Sequence, residues 1–328
     1  MKQKEKVKDD EVISIGKIDI ERGESKVVSL DVGTLPSGTK IEIKANIFRS
    51  VNPGPCALVL GGVHGDEING VEIVRKSLEE RVFEGLEKGS VIAIPLLNIY
   101  GFINFSREVP DGKDVNRSFP GNSTGSLASR VARALTRDIL PSVDFGMDFH
   151  TGGASRYNYP QIRYSKTDTE AMELGRAFAP PFLIQKPLIS KSLRRVAKDM
   201  KIPIIVYEGG ESVRLDGFSI SKGYEGMMRV FHSKGMLSDA RPASQKVIHV
   251  SKTGWVRAPA SGVFEWTRSS GVYVCKGESL GHIKDPYGTK TSKVIAKYSG
   301  YIIGHNNASV VNQGDALFHI ASEYEVDI

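Results

Sequence analysis

Two segments near the start of the chain alternate apolar and polar residues: Val27-Val-Ser-Leu-Asp-Val32 and Lys40-Ile-Glu-Ile-Lys-Ala-Asn-Ile47. That period of two predicts half-buried strands. Next comes a short continuous apolar run, Ala57-Leu-Val-Leu60, which predicts a strand buried on both faces and ended by Gly61 and Gly62. Val71, Val74, Leu78 and Val82 then recur at helical spacing. Ser90-Val-Ile-Ala-Ile-Pro-Leu-Leu97 predicts a second buried strand. Residues 126–140 predict a helix with Leu127, Val131, Leu135 and Ile139 on one face. Asp144-Phe-Gly-Met-Asp-Phe149 predicts a strand ending at His150, and Ile202-Pro-Ile-Ile-Val-Tyr207 one ending at Glu208. Pro203 suits only an edge or an entry position in that last strand. Helical patterns lie around 168–178, 190–200 and 219–233. Such alternation of strand and helix predicts an α/β fold with helices on both faces of a sheet.

Beyond about residue 243 the helical period disappears. Short β-like runs separated by Gly-containing turns replace it, and they repeat. Ala260-Ser-Gly-Val-Phe264 leads to Val274-Cys-Lys-Gly-Glu-Ser-Leu-Gly-His-Ile283, and Tyr298-Ser-Gly-Tyr-Ile302 leads to Val311-Asn-Gln-Gly-Asp-Ala-Leu-Phe-His-Ile320. Two copies predict a small pseudo-symmetric all-β, barrel-like domain. The expected organisation is therefore a catalytic α/β domain over 1–244, with a charged tail at 1–11, and a β domain over 245–328.

Length and composition narrow the function classes. A chain of 328 residues, 40% hydrophobic and 25% charged, is long enough for about two globular domains. The net charge of +6 is spread along the chain without a basic, aromatic-studded stripe, which argues against nucleic acid as a partner and suits a small anionic substrate. Cys56 and Cys275 are the only cysteines and imply no disulfide framework. No apolar run reaches the length of a membrane span, and no signal peptide is evident, so a cytoplasmic location with no membrane partner is expected. Oligomeric state is open, a homo-oligomer included.

The candidate chemistry sits where the predicted strands end. His64 and Glu67 follow the first buried strand at the spacing H-x-x-E, His150 follows another, and Glu208 a third. In one open α/β sheet such ends share an edge, where ligands bind. Two imidazoles and a carboxylate suit a catalytic zinc, which needs only three protein ligands. Glu208 is then the candidate general base. Residues 99–125, rich in Gly, Pro, Asn, Asp and Ser, read as a long functional loop. Within it, Asp114 is a candidate partner for a ligating imidazole and Arg107 a candidate stabiliser of a developing oxyanion. Arg117, beside Asn116, is a candidate two-pronged clamp for a substrate carboxylate. His232, His249, His282, His305 and His319 read as structural, the pair His282 and His319 occupying matching repeat positions.

Gly62-Val-His-Gly-Asp-Glu67, Asp114-Val-Asn-Arg-Ser-Phe-Pro-Gly121, Asp148-Phe-His-Thr-Gly152 and Tyr207-Glu-Gly-Gly210 together resemble the succinylglutamate desuccinylase/aspartoacylase family, a branch of the zinc carboxypeptidase superfamily. The resemblance runs from about residue 25 to the C-terminus. It implies a zinc-carboxypeptidase-like mixed sheet flanked by helices and one zinc per chain on His64, Glu67 and His150. It implies Glu208 as the catalytic glutamate, Asn116 and Arg117 as the carboxylate-binding pair and, more loosely, Arg107 as the oxyanion arginine. The implied activity is hydrolysis of the amide bond of a small N-acyl amino acid. A zinc carboxypeptidase acting on short peptides, or a non-catalytic binding protein on this scaffold, are the alternatives. The C-terminal repeat resembles the biotinyl/lipoyl-carrier barrel but lacks an exposed modification lysine in a Met-Lys-Met setting, so a steric role beside the cleft is expected of it.

Overall fold

The computed structural model describes residues 12–243 and 246–326. The charged tail expected at 1–11 and the boundary expected at 244/245 lie outside the described residues. Among the described residues, twelve strands form one mixed sheet. Its centre is four parallel strands, Ile204–Glu211, Phe145–Gly152, Cys56–Gly61 and Ser90–Ile94, side by side. These are the runs with continuous hydrophobicity, and almost every residue in them is buried, as strands covered on both faces require. Lys40–Arg49 and Ser25–Thr34 extend one side antiparallel. Their alternating burial matches their alternating sequence.

Six α-helices among the described residues flank this sheet. Ile68–Glu79, Thr169–Phe178 and Gly217–Ser233 share one core with Phe145, Met147, Phe149, Ile205 and Tyr207. Leu127–Ala134 and Leu193–Asp199 share another, on the opposite face, with Leu58, Leu60 and Ile204. None of these helices is long and apolar enough to cross a membrane.

Several boundaries differ from the pattern. The helical stripe expected to reach Val82 ends at Glu79: Arg81 adopts φ 54°, and Val82 opens a separate single turn over Val82–Gly85. The helix expected over 126–140 is regular only to Ala134 and then widens over Leu135–Ile139. The loop at 99–125 contains a short helix, Ile99–Ile103, capped by Asn98. Pro203 precedes an interior strand, so its role is entry. Hydropathy gave no sign of the strand Arg156–Tyr164, which pairs antiparallel with Ile204–Glu211; the stretch 12–50, which reads as strands, opens with a hairpin of Val12–Ile15 and Ile18–Glu21.

The C-terminal repeat is visible as geometry. Gly262–Trp266, Tyr273–Val274 and Ser279–Lys284 correspond to Gly300–Asn306, Val310–Val311 and Ala316–Val326. The short middle strand of each copy pairs with the first strand of the other. The repeated Ser-Gly is a backbone requirement: Gly262 and Gly300 sit at φ +151° and +152°, and a Cβ on either would strike a carbonyl oxygen, at 2.3 Å and 1.9 Å. Both copies feed one core containing Phe264, Leu280, Ile302 and Phe318. The sheet also runs on into this segment. Ile248–Arg257 pairs parallel with Phe182–Gln185, and Gly300–Asn306 pairs with Arg156–Tyr164.

Candidate active site

Gly62, at φ +61°, turns the chain off the end of Cys56–Gly61. Gly65 then lies against Gly101, where a Cβ would come within 2.0 Å of backbone. This tight turn brings His64 and Glu67 under the sheet edge. Glu67 holds the position just before the helix Ile68–Glu79, yet its carboxylate makes no cap to that helix. It spans two histidines instead: Oε1 is 2.8 Å from His64 Nδ1 and Oε2 is 2.7 Å from His150 Nδ1. The two Nδ1 atoms are 3.2 Å apart. All three side chains are buried, and their ligand atoms lie within 4.8 Å of one another, a group that could hold a metal ion.

The far nitrogen of each imidazole has its own carboxylate. His64 Nε2 is 3.2 Å from Asp114 Oδ1, and His150 Nε2 is 2.9 Å from Asp148 Oδ2. Such partners fix ring orientation and tautomer, leaving Nδ1 to face inward. Burial alone would push both imidazoles toward the neutral form. Glu67 and Asp114 at His64, and Asp148 and then Glu67 at His150, outweigh it and raise both pKa values. Burial raises Glu67 in turn, but the two imidazoles hold it well below the usual carboxylate range. Metal binding at this group would exchange against the imidazole protons.

His150 and Glu208 are direct neighbours in the parallel pairing of their strands, so their side chains leave the sheet on the same face. Asp148, two residues before His150, shares that face. Asn158 Nδ2 donates to Glu208 Oε2 at 2.8 Å and Arg163 Nη1 to Oε1 at 2.7 Å, so both carboxylate oxygens are fixed. Arg107 does not stand alone. Its Nε and Nη2 donate to Asp114 at 3.1 and 2.9 Å and its Nη1 to Glu67 at 3.1 Å, so it braces the His64–Glu67–His150 group from the loop side. Asp114 also accepts from the backbone N–H of Asn116, turning the chain at Val115–Arg117. Asn116 Oδ1 accepts from the N–H of Leu193, and Arg117 is exposed at the rim. A cleft of about 240 Å³ brings together His64, Glu67, His150, Glu208, Arg107 and Arg117.

Every candidate from the sequence except Asp114 lines that cleft, and Asp114 lies directly behind His64. Sequence reasoning missed Asp148, Asn158, Arg163, Arg194 and Trp255. Asp148 had a usable signal, its period-two spacing from His150. Asn158 and Arg163 lie on the strand that hydropathy did not reveal. Trp255 reaches the cleft from Ile248–Arg257.

Fold and site define a mixed α/β protein with a buried three-residue group that could hold a metal ion at the carboxyl edge of its sheet. The chain belongs to the succinylglutamate desuccinylase/aspartoacylase family, whose catalytic-domain model matches residues 53–233. It is 28% identical over 295 residues to an N-alpha-acetyl-L-2,4-diaminobutyric acid deacetylase of Halomonas elongata, covering 83% of each chain. The crystal structure of a succinylglutamate desuccinylase/aspartoacylase from Rhodobacter sphaeroides aligns at TM-score 0.80 and 25% identity, covering 92% of this chain and 96% of that one. The product-bound ectoine utilization protein EutE (DoeB) of Ruegeria pomeroyi shares the fold at TM-score 0.81 and 22% identity, covering 92% and 95%.

Proposed function

We propose that the chain is a zinc-dependent hydrolase that cleaves the amide bond of a small N-acyl amino acid. One observation carries the reading: the buried His64–Glu67–His150 group, the Glu208 carboxylate in register with His150, and Asn116–Arg117 converge on one cleft. The deacetylase name of the Halomonas relative supports acyl-amide chemistry. Two imidazoles and a carboxylate, each imidazole backed by an aspartate, are a donor set that fits zinc. Bound there, zinc supplies Lewis-acid chemistry, polarising the acyl carbonyl and acidifying water.

The protein's own groups do the rest. Arg117, with Asn116, holds the substrate's α-carboxylate by charge-assisted hydrogen bonds and sets the amide over the buried group. Glu208 takes a proton from the attacking water and delivers it to the leaving amine. Asn158 and Arg163 fix the direction in which Glu208 presents its oxygens. Arg107, tied to Glu67, keeps a cation beside the position where oxyanion charge develops.

The test is amine release from a panel of N-acetyl, N-succinyl and N-formyl amino acids. At least one member is turned over. Glu208→Gln lowers kcat by about 10²–10⁴-fold or more while the metal content stays at the wild-type level. A Glu208→Gln enzyme within a few-fold of wild type would show that another group moves the proton.

A further inference from the structure

Glu208 stands immediately before a break in its strand. Against Phe145–Gly152, Glu208 pairs with His150 and then Glu211 with Gly152. Against Arg156–Tyr164, Glu208 pairs with Gln161 and then Gly210 with Asn158. Gly209 is paired in neither register. Such a β-bulge bends the strand, re-aims the side chain beside it and leaves one residue's backbone outside the ladder. Gly210 completes the bend at φ +81°. Asn158 and Arg163 hold the tip of the Glu208 side chain, but the backbone that carries it runs straight into this irregular segment.

Asn69 closes the break. It lies in the first turn of Ile68–Glu79, just after Glu67, and is fully buried. Its Nδ2 donates to the carbonyl of Gly209 at 3.2 Å, and its Oδ1 accepts from the backbone N–H of Asp216 at 2.9 Å. Only an amide of this size supplies a donor to a carbonyl and an acceptor to an N–H at once. Without it the buried Gly209 carbonyl would lose an acceptor bond in a place where water cannot replace it, which is costly. The bulge is packed without slack. A Cβ on Gly210 would come within 2.3 Å of Asn69 Nδ2, and one on Gly209 within 2.4 Å of Tyr207 Oη. Asn69 does not line the cleft, so the reaction as described above leaves this buried amide unused.

We infer that Asn69 is a positioning residue for Glu208: by tying the bulge at Gly209 to the helix that follows Glu67, it fixes the general base relative to the His64–Glu67–His150 group. The inference rests on the reading of Glu208 as that base. Asn158 and Arg163 set the direction of the carboxylate, and Asn69 sets the place of the backbone from which it springs. A misplacement of about 1 Å can cost on the order of a hundredfold in rate. Asn69 touches no substrate, so its loss belongs in kcat and not in binding.

The experiment compares kcat, KM and metal content of the metal-loaded wild type with Asn69→Ala, Glu208→Gln, the Asn69→Ala/Glu208→Gln double variant and Asp216→Ala. The substrate is the N-acyl amino acid that the wild type turns over fastest. Asn69→Ala should lower kcat by roughly ten- to a hundredfold, with KM and metal content close to wild type. Added to Glu208→Gln it should cost nothing further, because the group it positions is already gone. Asp216→Ala removes the side chain that caps Gly217–Ser233 through the Ser219 N–H, yet keeps the backbone N–H that Asn69 holds. It should lower the unfolding temperature and leave kcat unchanged. An unchanged kcat in folded Asn69→Ala, a loss that falls on KM or metal content instead, or an equal loss in the Glu208→Gln background overturns the inference. If Asn69→Ala shows no cooperative unfolding transition, Asn69→Ser is judged by the same criteria. The crystal structure of the folded Asn69 variant separates the inference from the reading beneath it. If no N-acyl compound is hydrolysed, or Glu208→Gln keeps wild-type turnover, the general-base reading fails. Displacement of the Gly209 carbonyl and of the Glu208 carboxylate, with His64, Glu67 and His150 unmoved, still supports the positioning of Glu208 by Asn69. A Glu208 carboxylate that stays on Asn158 and Arg163 overturns it whatever the activity.

Discussion

Along Phe145–Gly152 and Ile204–Glu211, the side chains of Phe145, Met147, Phe149, Ile205 and Tyr207 pack against three helices, whereas Asp148, His150 and Glu208 leave the same strands on the other face. On the helix side Phe149 sits 5.7 Å from the Tyr207 ring and 6.5 Å from that of Phe178, and the one polar atom involved, Tyr207 Oη, donates to the carbonyl of Ser219. On the cleft side Asp148 pairs with His150, and Glu208 with Arg163. One face is built for close packing and the other for charge, and the period of two lets a single strand serve both. The separation also predicts that damage to one face reads out differently from damage to the other.

The largest effect expected from the packed face is on stability. Phe149→Ala removes a fully buried ring and should cost about 3–5 kcal/mol, measured by denaturant unfolding, with metal stoichiometry preserved in the fraction that remains folded. Loss of metal from folded Phe149→Ala protein would break the comparison. On the cleft face, Arg117→Ala should leave stability within about 0.5 kcal/mol, because the residue is exposed. Its effect is on kcat/KM for free-acid substrates, lowered by roughly ten- to a hundredfold, and much less for the matching amides. Equal losses on acid and amide would assign Arg117 another role. Next, Asp148→Asn keeps the size of the side chain but weakens its hold on His150 Nε2. It should weaken metal affinity by about 10–100-fold, measured by competition with a chelator, and an unchanged affinity would show that the Asp148 contact does not orient the ligand.

How much of this was legible in the sequence depended on how local each signal is. His64, Glu67, His150 and Glu208 stood out because each follows a continuous apolar run, and such runs become the parallel centre of the sheet. The structure moves His150 and Glu208 inside their strands, where register makes them neighbours. Asp148 was hidden in the apolar run it interrupts. Arg163 and Asn158 were out of reach because Arg156–Tyr164 carries Pro160 at its middle and buries Asn158 and Gln161. Proline and buried amides both read against a strand, yet this one has neighbours on both sides. The C-terminal repeat was legible as a motif, but its fusion to the large sheet through Ile248–Arg257 is a pairing between distant segments that no local pattern records. For the same reason Trp255 could not be connected to the cleft.

The claim on which the rest depends is that His64, Glu67 and His150 form the metal centre. The direct measurement is the metal content of purified protein, determined alongside a His64→Ala/His150→Ala double variant shown by its unfolding transition to be folded. The account predicts about one zinc per wild-type chain, the three-ligand stoichiometry of a catalytic site, and essentially none in the folded double variant. Wild-type stoichiometry persisting in that variant would contradict it.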